Sequence, residues 1–195
     1  MINKQTFQFL KELKKNNNRE WFSANKSRYD EAKDGFEDFI SDLIVQITKF
    51  DKSIAHLQPK DCIFRIYRDV RFSKDKSPYK THLGAHITSA EKKSEIHSRA
   101  GYYVHIEPGD SMLAGGAYLP ATDWLKNIRQ EIHSNSKEFK KIINTNTFKK
   151  YFNQVEGEKL KRPPQGFDID HPDIELLKQK SFLAVNKVND LSVTS

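Results

Sequence analysis

The chain has 195 residues and a formal net charge of +7, from 33 Lys and Arg against 26 Asp and Glu. A chain of this length can bury roughly 70% of its unfolded surface, so neither a disulfide nor a metal is needed for folding. The single cysteine, Cys62, excludes an internal disulfide and is typical of a reducing compartment. No apolar run approaches the roughly 20 residues that span a bilayer, and the first residues lack the core of a signal peptide. We therefore predict a single cytoplasmic domain over residues 1–195, with no membrane partner and a preference for anionic ligands.

Helices are predicted throughout the N-terminal quarter of the chain. Apolar residues recur at helical spacing within 4–15, which predicts a short first helix. Asn18 is a suitable cap for the next helix, because its side chain can accept a hydrogen bond from a free backbone N–H. An amphipathic stripe then predicts a long helix from about Arg19 or Asn25 to Phe50.

The middle of the chain alternates between apolar or aromatic runs and turn residues, which indicates a sheet. The predicted strands are Cys62 to about Phe72, His82–Ser89, Ala100–Glu107 and Met112–Leu119. Glu91–Ser94 is expected to form a charged turn or loop. Pro108 and Gly109 fit the two central positions of a type II turn. Gly115 and Gly116 are interpreted as strand glycines that make room for a large neighbour, because two adjacent glycines match neither the dinucleotide-binding fingerprint nor the P-loop.

The last third of the chain is predicted to be mainly helical. Thr122 is the expected N-cap of a helix that follows Pro120, and Asp170 or His171 is the expected cap of a short helix that ends at Lys178. Further helical segments are predicted at Ser136–Asn144 and Thr147–Gln154, and no closing element is predicted at Leu191–Ser195. The whole pattern predicts an α+β fold, with an antiparallel sheet of four or more strands packed against the long N-terminal helix and the C-terminal helices.

The densest cluster of cations lies between Cys62 and Thr81. It contains Arg65, Arg68, Arg71, Lys74, Lys76 and Lys80, interleaved with Tyr67, Asp69, Asp75 and Tyr79. Side chains alternate between the two faces of a strand, so Arg65, Tyr67, Asp69 and Arg71 are expected to share one face. Ser73–Pro78 is predicted to be a loop. A guanidinium-rich face over an apolar back indicates a site for an anion.

This run resembles a known protein family. The residues from Arg65 to Thr81 resemble the signature of the bacterial and fungal "domain of unknown function 2461" family. The resemblance extends to Asn18–Phe22 upstream and to Gly115–Gly116 and Leu160–Gly166 downstream, which covers nearly the whole chain. It implies a soluble single-domain protein with no established activity, so no catalytic residue is carried over. It also implies that relatives run somewhat further, so we expect this chain to lack a C-terminal element.

The candidate anion site is therefore argued from the residues themselves. It consists of Arg65, Tyr67, Arg68, Asp69, Arg71, Lys74, Lys76, Tyr79 and Lys80. The arginines can offer bidentate forks and Lys80 a point charge to a phosphate or carboxylate. Three cations near the start of the long helix are within possible reach of this site: Arg19, Lys26 and Arg28. The competing interpretation is a structural network in which Arg65 and Arg71 pair with Asp69 and with helix carboxylates such as Glu20.

Two other chemistries are weighed against anion binding. Basic residues with aromatics between them are also typical of nucleic-acid platforms, although no recognised motif is present. His82 and His86 would lie roughly 13 Å apart on a strand, so they cannot share a metal ion. His86 and His105 with Glu107 form a conceivable ligand set, but a structural role is favoured and we predict no metal.

The sequence thus predicts a protein that binds a small ligand bearing phosphate or carboxylate at the Arg65–Lys80 segment. A nucleic-acid-binding module is the alternative, and a purely structural ion-pair network is the third interpretation. No cofactor, reaction or oligomeric state is indicated, and enzymatic activity is left open.

Overall fold

A computed structural model of the chain describes residues 1–90 and 95–194. The fold is α+β, as predicted, with several helices and a four-stranded antiparallel sheet in the order β1-β2-β3-β4. The helices are α1 Lys4–Lys15, α2 Arg19–Ala24, α3 Lys26–Thr48, α4 Pro59–Cys62, α5 Thr122–Ile143, α6 Asn146–Phe152, α7 Ile174–Leu177 and α8 Asp190–Val193. The strands are β1 Leu83–Ile87, β2 Gly101–Ile106, β3 Met112–Ala117 and β4 Phe182–Lys187. In the described part of the chain, no helix is both long enough and apolar enough to cross a bilayer.

The chain divides into two compact units. The first contains Met1–Ser89, Tyr103–Leu113 and Lys187–Ser195, and the second contains Ala90–Tyr102 and Ala114–Asn186. The single-domain organisation stays a prediction. The predicted loop at Glu91–Ser94 lies outside the described residues.

The first unit has a core of α1, α3 and β1. Phe36, Ile40 and Ile44 repeat on one face of α3 and are buried, which is the stripe that predicted this helix. Asn18 caps α2 as predicted, since its Oδ1 accepts a hydrogen bond of 2.9 Å from the N–H of Trp21. The helix ends at Thr48 rather than at Phe50, whose side chain is exposed.

The predicted strand from Cys62 to Phe72 is wrong. Cys62 ends α4, and the residues after it pair with β1 and with the segment before it through isolated antiparallel bridges, Ile63 with Ala85 and Tyr67 with Tyr79. Beyond Arg68 the side chains of Asp69 and Asp75 accept hydrogen bonds from backbone N–H groups two residues further along. These Asx turns compete with strand pairing, so residues 68–77 form an irregular loop, here called the basic loop.

The other three predicted strands are present within their expected ranges. β1 and β2 lie inside the predicted segments and are shortened at both ends, and β3 begins at Met112 as predicted but ends at Ala117. The turn at Pro108–Gly109 is confirmed, because Asp110 N–H donates to the carbonyl of Glu107 at 3.0 Å and Gly109 has a φ of +80°.

In the second unit, α5 packs on β4 through an edge-to-face contact between Phe139 and Phe182, with ring centroids 6.5 Å apart. The sequence reading missed β4. Gly116 lies against this strand at a φ of +134°, and a Cβ there would stand 2.0 Å from the carbonyl oxygen of Phe182. Gly116 therefore makes room for a neighbouring backbone, as the strand interpretation required.

Several predicted helix ends are wrong. Thr122 is the first residue of α5, and Ala121 precedes it without a side-chain cap. The segment predicted at Ser136–Asn144 is the second half of α5, which continues across a kink at Asn135. Asp173, not Asp170 or His171, stands at the N-cap position of α7.

The C-terminal residues also differ from the prediction. No closing element was expected at Leu191–Ser195, but α8 covers most of its described part. Asn189 caps this helix, because its Oδ1 accepts a hydrogen bond of 2.8 Å from the N–H of Ser192. The N–H of Ile2 donates to the carbonyl of Val193 at 2.9 Å, which fixes both segments within the first unit.

Candidate functional site

Two arginines of the basic loop are engaged by carboxylates of the same loop. The guanidinium of Arg71 grips Asp69, with Nε 3.0 Å from Oδ1 and Nη2 2.6 Å from Oδ2. Arg68 pairs with Asp75 and also donates to the carbonyl of Ser77. An anion at either arginine would have to compete with a carboxylate that is already in place.

Both ion pairs lower the pKa of the carboxyl group that takes part in them. Hydrogen bonds from Arg71 lower the pKa of Asp69 to about 2. Hydrogen bonds from Ser77, and then from Arg68, lower the pKa of Asp75 to about 2. Both carboxylates are therefore ionised at neutral pH and neutralise part of the positive charge of the loop.

The two lysines of the loop differ from the arginines. Lys76 donates to the carbonyl of Val70 at 2.9 Å, which closes the loop. Lys74 is exposed and makes no hydrogen bond or ion pair within residues 1–90 and 95–194.

Arg65 and Lys80 form a second group, here called the cation pair. Neither side chain has an acidic partner or a hydrogen bond among the described residues. Arg65 is exposed, whereas Lys80 is half-buried, with Nζ 5.3 Å from the ring centroid of Phe64. Burial lowers the pKa of Lys80, and the nearby charge of Arg65 lowers it further. Arg65 also acts on Asp69, whose pKa its charge helps to lower, but that carboxylate is hydrogen-bonded to Arg71. Neither cation of the pair therefore has an ion pair of its own among the described residues.

Aromatic packing fixes the base of this region. Tyr79 is buried at 5% exposure and stacks on Phe22 with ring centroids 3.9 Å apart. Asn17 holds the backbone of Tyr79 at both ends, since its Nδ2 donates to the carbonyl and its Oδ1 accepts from the N–H. Tyr67 is half-exposed, and its ring centroid lies 5.4 Å from that of Tyr79. The tyrosines therefore anchor the segment, and of the two only Tyr67 offers much surface to a ligand.

The helix cations expected near the site are mostly engaged elsewhere. Lys26 pairs with Asp30, and Arg28 donates to Glu12 at 2.7 Å and to Asn25 at 3.0 Å. A cavity of about 580 Å³ beside α1 and α3 is lined by Arg28, so its main cation is already satisfied. Arg19 remains, close enough to Tyr79 to oppose the rise in the pKa of that phenol that burial and Tyr67 cause.

A polar cluster that differs by one histidine from the ligand set considered in the sequence analysis lies in the same unit. The side chains of Tyr103, His105 and Glu107 alternate along β2 and its end, so they share one face. The Tyr103 hydroxyl lies 3.0 Å from His105 Nδ1, and His105 Nε2 lies 3.2 Å from Glu107 Oε2. His82 lies just before β1, and its ring centroid is 4.1 Å from that of His105. We call His82, His105 and Glu107 the histidine–glutamate cluster.

The surroundings of this cluster set its charge. Burial and the neighbouring His105 lower the pKa of His82 to about 4, so this imidazole is neutral at pH 7. Burial favours the protonated form of Glu107, but hydrogen bonds from His105, Lys14 and Thr81 outweigh it and lower its pKa. The cluster is thus a partly buried carboxylate beside two histidine rings.

Sequence reasoning placed the wrong histidine in this set. It paired His86 with His105 and Glu107, whereas the fold brings His82 to them. His82 and His86 are four residues apart, so both are expected on the same face of an extended chain and alternation cannot distinguish them. The register of β1 on β2 decides which of them lies beside His105.

Comparison with known families identifies the family of this chain. The family described as "Conserved hypothetical protein (DUF2461)" matches residues 5–195. The chain belongs to this family. The resemblance seen in the Arg65–Thr81 run is thereby confirmed. No curated protein and no solved structure matches the chain significantly. The DUF2461 description assigns no reaction, so the function is argued from the geometry of the site.

Proposed function

We propose that this DUF2461 protein binds a small ligand bearing a phosphate or carboxylate group through Arg65 and Lys80. The observation that carries the proposal is the half-buried Lys80 beside Arg65, with no carboxylate paired to either among the described residues. Burying a cation is costly unless an anion compensates it. A bound anion would supply that compensation.

The two side chains have complementary capacities. Arg65 offers a planar fork that suits two oxygens of a phosphate or carboxylate, and Lys80 offers a compact charge with three donors. The Phe64 ring beneath Lys80 limits its access to water. An anion held there would be less screened than one on an open surface.

The arginines of the basic loop are not part of the proposed ligand site. Arg68 and Arg71 are engaged by Asp75 and Asp69, which supports the structural ion-pair interpretation for these two residues. The proposed ligand site is therefore narrower than the nine residues named from the sequence. It centres on Arg65 and Lys80, with Arg19 and Lys74 as further cations that lack an internal partner among the described residues.

A second candidate function is binding of single-stranded nucleic acid. It is favoured by Phe72, which is 96% exposed in the basic loop with the guanidinium of Arg71 5.9 Å from its ring centroid. Exposed aromatics among cations can stack bases. This function predicts oligonucleotide binding that falls steeply with salt and that Phe72→Ala weakens.

The test is a thermal-shift and calorimetric screen of inorganic phosphate, nucleotides, sugar phosphates and dicarboxylates. We expect at least one of these anions to stabilise the wild type, and Arg65→Gln or Lys80→Met to reduce its affinity roughly tenfold or more, since each removes a charge-assisted contact. Arg71→Gln is the matched control, because it removes an arginine already held by Asp69. An equal response of the wild type and all three variants would contradict the proposal.

A further inference from the structure

We propose that His82, His105 and Glu107 form a binding site for one divalent transition-metal ion. This site involves other residues than the cation pair, so it stands or falls separately from the proposed anion binding. Each residue offers one ligand atom, and the three atoms lie within 4.8 Å of one another.

One edge of the site already has the spacing of a metal centre. His105 Nε2 and Glu107 Oε2 are 3.2 Å apart. Neighbouring ligands around a tetrahedral ion with bonds of about 2.0–2.1 Å are separated by about 3.4 Å. The remaining atom, a ring nitrogen of His82, lies within 4.8 Å of the other two and needs to approach them by up to about 1.4 Å. The His82 side chain is only partly buried, so we expect rotation about its side-chain bonds to provide that movement.

The surrounding residues hold the ligands as a second shell does in metal sites. Thr81 and Lys14 both donate to Glu107 Oε1, at 3.0 and 3.2 Å, which leaves Oε2 directed at His105. The Tyr103 hydroxyl engages Nδ1 of His105 and leaves Nε2 for the ion. Such partners orient the ring and the carboxylate of metal sites.

A hydrogen-bonded chain is the arrangement without an ion. A carboxylate only accepts, so His105 donates from Nε2 to Glu107 and accepts from Tyr103 at Nδ1. With an ion on Nε2, the ring proton lies on Nδ1 and is donated to the tyrosine oxygen. The tautomer changes, but the number of protons on the ring does not.

The donor set indicates the class of metal. Two imidazoles and one carboxylate suit zinc, and the same set with open positions is used by non-haem iron. Three protein ligands leave at least one position for water or a substrate oxygen. The cluster is not sealed, since the side chain of Glu107 is 15% exposed and that of His105 is 10% exposed. Lys14, which would oppose a cation, is 62% exposed and is bonded to Oε1 of Glu107, the carboxylate oxygen that does not face His105.

The experiment titrates the untagged, chelator-treated full chain with Zn²⁺ by calorimetry and with Co²⁺ by visible absorption. Fe²⁺ is titrated under anaerobic conditions to separate the two metal classes. We expect one ion per chain and the ligand-field bands of a Co²⁺ site of low coordination number. His105 is buried, so ligand assignment is made with His82→Gln and Glu107→Gln, whose side chains are partly exposed.

Loss of a ligand should weaken binding more than the 10–100-fold typical of second-shell changes, so we expect a loss of roughly a hundredfold or greater in both variants. His56→Gln is the matched control, because His56 is an exposed histidine of the same unit outside the cluster. It should bind as the wild type does. A wild type that binds none of the three ions, or His82→Gln and Glu107→Gln variants with unchanged affinity, would overturn the proposal. The three groups would then be a hydrogen-bonded chain only.

Discussion

The basic loop and the histidine–glutamate cluster belong to the same unit but are built in opposite ways. The loop draws its charged groups from neighbouring residues, and Asp69 and Asp75 pair with Arg71 and Arg68 at the surface. The cluster takes His82 and Glu107 from segments far apart in sequence and places them, partly buried, beside the buried His105. Density of charge in a sequence is therefore a poor guide to unsatisfied charge in the fold.

The comparison separates two kinds of polar group. Groups that are close in the chain can find each other at little entropic cost, so their charges tend to be paired locally. Groups brought together by strand pairing depend on the register of the whole sheet. The cation pair is intermediate: Arg65 and Lys80 flank the basic loop, yet no carboxylate among the described residues pairs with either.

The largest expected effect on the free energy of unfolding distinguishes the buried Tyr79 from the exposed Phe72 of the basic loop. Tyr79→Ala should lower the free energy of unfolding by about 3–5 kcal/mol, since it removes a buried ring stacked on Phe22. Phe72→Ala should change it by less than about 0.5 kcal/mol, because that ring is 96% exposed. Urea unfolding measures both, and similar losses in the two variants would contradict the contrast.

A smaller effect is expected at the glycine beside the cluster. A Cβ on Gly84 would lie 3.3 Å from the Tyr103 hydroxyl and 3.7 Å from the His82 ring, so Gly84→Ala should destabilise by about 1 kcal/mol through crowding. Gly35→Ala is the control, since a Cβ there has no described neighbour within 4 Å. It should stabilise α3 by about 0.5–1 kcal/mol. If both substitutions raised the free energy of unfolding, the surroundings of Gly84 would be loosely packed and the predicted crowding would be wrong.

The smallest effect concerns the exposed pairs of the loop. Because the pKa values of Asp69 and Asp75 are lowered to about 2, the folded chain holds these protons less tightly than the unfolded chain. Any stabilisation from them is present above the ordinary Asp value of 3.8 and is lost as the pH falls through about 2. Arg71→Gln should raise the pKa of Asp69 and leave that of Asp75 in place, whereas Ser77→Ala should raise that of Asp75.

Carboxyl-detected NMR titration follows both groups in each variant. At neutral pH neither substitution should shift the thermal midpoint measurably, since exposed ion pairs contribute little to stability. Ordinary pKa values for both carboxyls in the wild type would remove the basis for calling these arginines engaged.

The fold class and most elements of the first unit could be predicted from the sequence, because they depend on local pattern. The stripe of α3, the cap at Asn18 and the turn at Gly109 are examples. The Cys62–Phe72 segment was predicted to be a strand because apolar residues alternate along it. The Asx turns at Asp69 and Asp75 compete with strand pairing, and the second half of the segment is an irregular loop instead. β4 was missed because its pairing partner lies far away in the chain.

The candidate site was predictable only in part. The competition between an anion and internal carboxylates was evident from the sequence, and Arg71 does pair with Asp69 as the network interpretation proposed. The sequence could not show that Arg65 lies apart from that pairing. Nor could it show that His82 rather than His86 joins His105, because both histidines have the same parity and only the strand register decides.

The most direct test of the account follows the arginine Nε–H signals by ¹⁵N–¹H NMR as inorganic phosphate is added to the wild-type chain. The account predicts that Arg65 shifts with a saturable dependence on phosphate, while Arg68 and Arg71 stay in place because Asp75 and Asp69 occupy them. Shifts at Arg68 and Arg71 with none at Arg65 would contradict it.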